Sequence, residues 1–185
     1  MKHDSASRRI RLAGPLAALF IACCGLPAVA LGDMATRPGT ATEHPMADHV
    51  VVHKAERRLE LHSEGQVFRT FPIALGANPE GHKQREGDQR TPEGTYRLDW
   101  RNPDSAFFLA MRVSYPNGDD IRRARERGVP PGNNIMIHGL PNEPEHPSDH
   151  YLYADWTDGC IAVSNSAMID IWLSVPDDTP ITILP

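Results

Sequence analysis

The amino-acid sequence predicts a mostly β domain, a sandwiched or barrel-like sheet with one or two short helices. Three observations lead to this class. Short runs of apolar and β-branched residues recur along the chain, segments rich in Pro, Gly, Asn and Asp separate them, and only two segments have a helical pattern. The sequence contains no internal repeat.

The strands are predicted, in chain order, wherever a β-type run is bounded by turn residues. The first three form an antiparallel meander at 50–52, 58–62 and 66–71, with Ser63-Glu64-Gly65 as the tight turn between the second and third. Five more strands are predicted at 94–100, 107–114, 134–138, 159–163 and 180–184.

Two short helices complete the predicted elements. One covers 121–126 and is stopped by Gly128, and the other covers 166–174, capped by Asn165 or Ser166. The segment 76–94 mixes charged residues with glycines and prolines, so it cannot be a core strand. Loops of this length in compact domains are usually functional or disordered, which makes this one a candidate wall of a binding site.

The N-terminus has the layout of a secretory signal peptide. Arg8, Arg9 and Arg11 precede an apolar run at 12–31, and small residues lead to a cleavage point after Ala30. We therefore expect a protein exported to the periplasm or cell envelope.

The rest of the chain divides into two predicted parts. After the signal peptide at 1–30, residues 31–49 lack apolar periodicity and form a linker, and residues 50–185 form one folded domain. Two weaker alternatives for export stay open: the arginine pair as a twin-arginine signal, and Cys23 or Cys24 as a lipid-anchored residue.

The charge balance argues against a nucleic-acid partner. The whole chain has a formal net charge of −5, and removal of residues 1–30, with four basic residues against one acidic, leaves −8. An acidic domain of this kind has no electrostatic footprint for nucleic acid or for anionic lipid surfaces. A small polar substrate fits better.

Cys160 is the only cysteine outside the predicted signal peptide, so it has no intramolecular disulfide partner. An unpaired thiol in an oxidising compartment is buried and inert, paired with another molecule, or a catalytic nucleophile.

The residues around Cys160 favour catalysis. Thr157-Asp158-Gly159-Cys160-Ile161 places the thiol where a glycine turn enters an apolar strand, and His138 ends another strand. Glycine permits close approach of a substrate carbonyl, and the N–H groups of Gly159 and Cys160 could face an oxyanion. An imidazole could hold the thiolate and protonate a leaving amine. Taken singly, a small buried cysteine and an edge histidine explain these residues as well.

Three motifs together resemble the L,D-transpeptidase (YkuD-type) catalytic domain family. They are His138-Gly139, Thr157-x-Gly159-Cys160-Ile161 and the run Gly87-Asp88-x-Arg90-Thr91-Pro92-Glu93-Gly94-Thr95-Tyr96. Tyr115-Pro116-Asn117 and residues 165–185 also look like that family. The resemblance spans about residues 50–185.

The resemblance implies an exported peptidoglycan-modifying enzyme that needs no cofactor and no metal. Cys160 would attack the carbonyl between a stem-peptide diamino acid, usually meso-diaminopimelate, and a terminal D-alanine, forming a thioester. An amine on another stem peptide or on an envelope lipoprotein would then accept the acyl group. The reaction would serve cell wall cross-linking or remodelling, and thereby cell shape. Water as the acceptor would make the protein an L,D-carboxypeptidase or amidase instead.

The resemblance also implies the site residues. The catalytic group comprises Cys160, the base His138, the carbonyl of Gly139 as the orienting acceptor, and the turn residues Asp158 and Gly159. The substrate-binding group comprises Thr157, which shapes the turn, with Tyr115, Asn165, Arg90 and Arg112.

The chain departs from the family pattern in two places. Many members carry Arg where this chain has Ala162, so we expect an arginine from elsewhere, Arg90 first and Arg112 second, to hold a substrate carboxylate. The loop between His138 and Thr157 is long and polar, which suggests a lid, an acceptor-specific wall, or equally a solvated loop with no role.

Two rival hypotheses remain. His146 and His150, with His138, Asp149 and Cys160, could form a zinc site, but prolines interrupt the helix that would align the two imidazoles. An inactive peptidoglycan-binding module that kept the fold is the other, against which the intact Cys160 and His138 argue.

Overall fold

The computed structural model describes residues 45–185, which form eight strands and three helices. The strands are β1 (His49–His53), β2 (Arg58–Ser63), β3 (Gln66–Pro72), β4 (Gly94–Ser105), β5 (Phe108–Val113), β6 (Met136–His138), β7 (Ile161–Ala162) and β8 (Thr179–Leu184). The helices are α1 (Gly118–Glu126), α2 (Ser148–Tyr153) and α3 (Asn165–Ser174). The predicted signal peptide and linker residues 31–44 lie outside the described residues.

The strands form one mixed sheet in the order β3-β2-β1-β8-β4-β5-β6-β7. The predicted antiparallel meander is present, since β1 pairs with β2 and β2 with β3. The first and last strands, β1 and β8, pair in parallel, and so do β6 and β7. The mostly β class is therefore confirmed.

The core lies where the alternating strand residues meet α3. Val50, Val52 and Ile181 are fully buried, and Met168 and Ile171 of α3 belong to the same buried cluster. Each such side chain stabilises the fold by roughly 1.5–3 kcal/mol through removal of apolar surface from water. No helix within residues 45–185 is long and apolar enough to cross a membrane.

Helix boundaries differ from the predicted ones because of their caps. The side chain of Asn117 accepts hydrogen bonds from Asp119 N and Asp120 N, so α1 begins at Gly118 instead of residue 121. Ser164 caps α3 by accepting from Ala167 N, and the predicted caps Asn165 and Ser166 lie inside the helix.

The number of helices and the lengths of several strands also differ from the prediction. The described residues contain three helices where one or two were predicted, because α2 forms within the polar loop before Thr157. Strand β4 continues to Ser105 and pairs with β5 through irregular register. Strand β7 has two residues because Gly159, with φ +123°, ends the extended backbone before Cys160.

Candidate active site

Two neighbouring strands bring the predicted nucleophile and base to one cavity. His138 ends β6, Cys160 immediately precedes β7, and these strands pair in parallel with His138 opposite Ala162. Both side chains line a cavity of about 540 Å³, together with the aromatic residues Trp100, Phe107 and Trp156. The nucleophile and base predicted from separate motifs thus face the same space.

A hydroxyl braces the turn that carries Cys160. Thr157 Oγ1 donates to the carbonyl oxygen of Cys160 at 2.8 Å and accepts from the N–H of Gly159 at 3.2 Å. Thr157 is buried, and Asp158 beside it is exposed. The hydroxyl of Thr157 is therefore engaged within the turn, and the N–H of Gly159 is not free for an oxyanion in the resting structure.

The Cys160 thiol is neutral at rest. It donates to the carbonyl oxygen of Asn134 at 3.6 Å. Burial raises the pKa of the Cys160 thiol, and the charge of Asp158 adds to the rise, while a hydrogen bond from the Met136 backbone and the charge of Lys83 oppose it. The thiolate needed for attack must consequently be produced as the substrate reacts.

The imidazole of His138 is also neutral and is fixed in orientation. Its Nδ1 lies 2.7 Å from the carbonyl oxygen of Gly139, which can only accept, so Nδ1 carries the proton and Nε2 is free to accept one. Phe107 and Trp156 pack against the ring, with centroids 4.7 and 5.7 Å away. Burial lowers the pKa of His138 to about 4, against a smaller opposing effect of the Gly139 hydrogen bond.

Asn165 lies behind this histidine and not in the cavity. Its Oδ1 accepts from the N–H of Leu140 at 2.8 Å. A Cβ on Gly139 would lie 2.6 Å from that oxygen, so Gly139 must be glycine for Asn165 to approach. Asn165, predicted to bind substrate, contacts the backbone that orients His138.

The two predicted arginines lie in different surroundings. Arg112 pairs bidentately with Asp99 at 2.8 and 3.1 Å and lies 5.9 Å above the ring of Trp100. It lines a cavity of about 320 Å³ that shares Asn134 with the Cys160 cavity. The side chain of Arg90 lies beside Gly81, and it lines neither cavity that contains Cys160.

Tyr115, the remaining predicted substrate contact, is held by contacts within the fold. It is buried, donates from its hydroxyl to the carbonyl oxygen of Pro131 at 2.8 Å, and packs edge-on against Tyr96. Burial raises the pKa of this phenol above its usual range, so it stays protonated.

Two further cavities adjoin the Cys160 cavity. One of about 340 Å³ shares Asn134, Asp158 and Cys160 with it and is also lined by Lys83 and Glu86. The other, of about 720 Å³, shares Ala106, Phe107 and Trp156 with the Cys160 cavity and is lined beyond them by the 141–151 segment.

The histidines of the zinc hypothesis lie in that larger cavity. The rings of His146 and His150 are 4.4 Å apart between centroids. Within residues 45–185, no group of three or more His, Cys, Asp or Glu side chains is arranged to hold a metal ion. The zinc hypothesis has no third ligand in this part of the chain.

Sequence analysis did not single out several residues that line the site, namely Lys83, Trp100, Phe107, Asn134 and Trp156. Trp156 directly precedes the Thr157 motif, so its position was a usable signal. Asn134 has φ +55°, a conformation that only the folded structure reveals.

Comparisons with known proteins point to one family. The family model YkuD, described as the L,D-transpeptidase catalytic domain, matches residues 47–183. The chain is 33% identical over 98 residues to "Putative L,D-transpeptidase YafK" of Escherichia coli (strain K12), a match that covers 49% of this chain and 37% of that protein.

Solved structures with the same fold include two larger proteins. The helical cell shape determining protein Pgp2 from Campylobacter jejuni is 25% identical with a TM-score of 0.56, covering 73% of this chain and 46% of that chain. Bd1075 from Bdellovibrio bacteriovorus is 26% identical with a TM-score of 0.53, covering 75% and 48%. The chain spans less than half the length of each of these relatives.

Proposed function

Because this chain belongs to the L,D-transpeptidase (YkuD) catalytic domain family, we propose that it forms a thioester between Cys160 and a peptidoglycan stem peptide and transfers the acyl group to an amine. The family generally uses a cysteine nucleophile and acts on peptidoglycan stem peptides, and its members are typically exported.

One observation carries the proposal. Cys160 and His138 line the same cavity, and the Gly139 carbonyl holds Nδ1 of His138 so that Nε2 is the nitrogen free to take a proton. A nucleophile, a base and a group that orients the base are the parts that acyl transfer through a thiol requires.

In the first step, both reacting groups start neutral. As Sγ of Cys160 attacks the carbonyl carbon between the diamino acid and D-alanine, Nε2 of His138 takes the thiol proton. The carbonyl becomes an oxyanion, and the N–H of Cys160 is its proposed donor because the N–H of Gly159 is bonded to Thr157.

In the second step, the oxyanion re-forms a carbonyl and the carbon–nitrogen bond breaks. The His138 imidazolium gives its proton to the leaving nitrogen, so D-alanine departs as a neutral amine and the thioester remains. An acceptor amine then attacks the thioester and loses a proton to Nε2, and the sulfur leaves and regains a proton. The products are a new amide and the starting thiol.

The cavity of about 720 Å³ beyond Phe107 and Trp156 supports an amine acceptor. It is continuous with the Cys160 cavity through shared lining residues and carries Glu143 and Glu145. Carboxylates there would attract a cationic amine before it loses its proton. Arg112, which lines a cavity that shares Asn134 with the Cys160 cavity, remains our proposed contact for a more distant substrate carboxylate.

Arg90 is assigned a different role from the one expected of it. Its carbonyl oxygen packs on Gly159 and thereby shapes the turn of the nucleophile. We propose that Arg90 acts through this backbone contact and not through its guanidinium.

Incubation of the protein with disaccharide-tetrapeptide, with and without an added amine acceptor, tests the function by mass spectrometry. Cross-linked or exchanged peptide that requires both the acceptor and Cys160 supports transpeptidation, and Cys160→Ala is the matched control. Tripeptide alone, even with excess acceptor, would indicate the L,D-carboxypeptidase alternative. Unchanged substrate under both conditions would favour the inactive binding module.

Cell fractionation tests the proposed location. The expected product is a periplasmic or envelope protein whose mature N-terminus follows Ala30. A full-length cytoplasmic protein would contradict the signal-peptide hypothesis.

A further inference from the structure

Two lysines of this domain are almost completely buried, and their hydrogen bonding differs. Lys54, 2% exposed, donates from Nζ to Gly81 O at 2.7 Å, to Thr91 O at 3.1 Å and to Glu93 Oε1 at 2.7 Å. An ammonium group has three N–H donors. Lys54 is therefore saturated and ties together the two ends of the 81–93 loop.

Lys83, 3% exposed, has a single acceptor within residues 45–185. Its Nζ donates to Asp88 Oδ1 at 2.8 Å. Two of its three N–H donors have no partner in this part of the chain, although buried donors are normally satisfied because an unmade hydrogen bond costs free energy. Lys83 can therefore donate hydrogen bonds to a further anionic or polar ligand.

Asp88 keeps Lys83 in place. Its carboxylate also accepts from the N–H groups of Gln84 at 2.7 Å, Arg85 at 3.1 Å and Arg90 at 3.1 Å. These bonds and Lys83 lower the pKa of Asp88 despite the opposing effect of burial, so the carboxylate is a fixed anion. Because the Asp88 carboxylate is fixed, the remaining N–H groups of Lys83 are held in a defined position.

That position adjoins the nucleophile. Lys83 lines the cavity of about 340 Å³ together with Cys160, Asn134 and Asp158. On the basis of the proposed function, we propose that Lys83 binds a carboxylate of the donor peptide beside Cys160, in the role we had expected of an arginine.

The chemistry of the stem peptide supplies two such carboxylates. One ends the side chain of a diaminopimelate at the acyl position, and the other is the C-terminus of the leaving D-alanine. Glu86 and Asp158 line the same cavity. A cavity with one cation and two carboxylates matches a zwitterion, and the diaminopimelate side chain ends in an ammonium as well as a carboxylate.

The first test is independent of enzymatic activity. Cys160 is alkylated with iodoacetate and with iodoacetamide, reagents of similar size that differ in charge, so that the ratio of their rates cancels changes in thiol reactivity. Lys83→Met should lower the iodoacetate-to-iodoacetamide ratio by about fivefold, the effect of one screened charge at close range. Lys83→Arg should keep the parental ratio, and so should Arg85→Met, which removes an exposed positive charge from the same loop.

A second measurement needs no variant, in case Lys83→Met does not fold. N-acetyl-D-alanine should protect Cys160 of the parental protein from iodoacetamide, whereas N-acetyl-D-alanine amide should not. Equal protection by the acid and the amide, or an unchanged alkylation ratio in folded Lys83→Met, overturns the carboxylate site.

Kinetics with amidated peptides then identify which carboxylate of the substrate is bound. The specificity constant kcat/KM is compared for the normal tetrapeptide, for one amidated at the diaminopimelate side chain and for one amidated at the C-terminus. Lys83→Met should lose the parental preference over one of the amidated peptides. An active enzyme that keeps both preferences overturns the inference. If Lys83→Met loses the alkylation preference but the parental protein turns over no stem peptide, the anion site is supported and the proposed function is contradicted.

Discussion

The carbonyl oxygen of Arg90 packs so closely on Gly159 that a Cβ at that glycine would lie 2.5 Å from it. Gly159 also has φ +123°, a conformation that side chains disfavour. Two independent constraints therefore require glycine directly before the nucleophile.

Gly159→Ala should lower the free energy of unfolding by about 2 kcal/mol or more and abolish turnover, because the turn and the 89–90 backbone must move apart. Urea denaturation and the stem-peptide assay measure the two effects. Gly65→Ala is the matched control, since Gly65 has φ +74° but a Cβ there meets nothing within 4 Å. It should cost about 1 kcal/mol and leave activity intact. Equal effects of the two variants would contradict the close-contact argument.

His138→Gln should lower kcat by about 10²- to 10⁴-fold and change KM little, because proton transfer is needed only in the transition state. Steady-state kinetics at several substrate concentrations separate the two constants. If KM rises while kcat holds, His138 contributes to substrate binding instead.

Loss of the Thr157 hydroxyl should weaken the nucleophile turn. Thr157→Val removes both the bond to Cys160 O and the acceptor for Gly159 N, so kcat should fall by at least about tenfold, as a change of about 1.4 kcal/mol would produce. Thr157→Ser keeps the hydroxyl and should retain most of the activity. A serine variant as impaired as the valine variant would point to the methyl group.

The alkylation rate of Cys160 should climb with pH and show no plateau near pH 6. The thiol pKa is raised and His138 is neutral above its own pKa of about 4, so no thiolate–imidazolium pair exists at rest. Iodoacetamide rates between pH 5 and 10 measure this. Fast alkylation already at pH 6 would reveal an ion pair and rule out a neutral resting site.

Stability should fall as the pH drops from about 6.5 to 4. His138 binds a proton near its ordinary pKa of 6.5 in the unfolded chain but only near 4 in the folded one, so acid favours the unfolded state. The loss reaches on the order of 3 kcal/mol at the lower end. Urea midpoints for the parental protein and His138→Gln at pH 7, 5.5 and 4.5 check it, and the variant should lose less stability on acidification. Parallel losses would place the titrating groups elsewhere.

Local sequence patterns were enough to predict the hairpins and to propose Cys160 and His138 as a nucleophile–base pair. Leu59 and Leu61 alternate with polar residues and both are buried, as the period predicts, although Glu60 between them is buried as well. The His138 and Cys160 motifs are short and local, so their roles could be proposed without tertiary information.

Elements that depend on distant contacts could not be predicted in this way. Helix α2 has no apolar period; the hydroxyl of Tyr151 accepts from the N–H groups of Glu145 and His146 and holds the segment in shape. Lys83 is one of several charged residues in a polar loop, and only its burial beside Cys160 distinguishes it. Both features arise from packing between segments far apart in the sequence.

The position of β8 between β1 and β4 has a consequence for how the chain folds. His49 and Thr182, whose side chains are hydrogen-bonded to each other, are 133 residues apart, and β8 is the strand that joins β1 to β4. Bringing β1 and β8 together closes a long loop, and the entropic cost of closure comes before the strands pair. We therefore expect folding to be slow and to be completed in one late event. Until β8 is in place, β1 and β4 would therefore each present an unpaired strand edge to other chains.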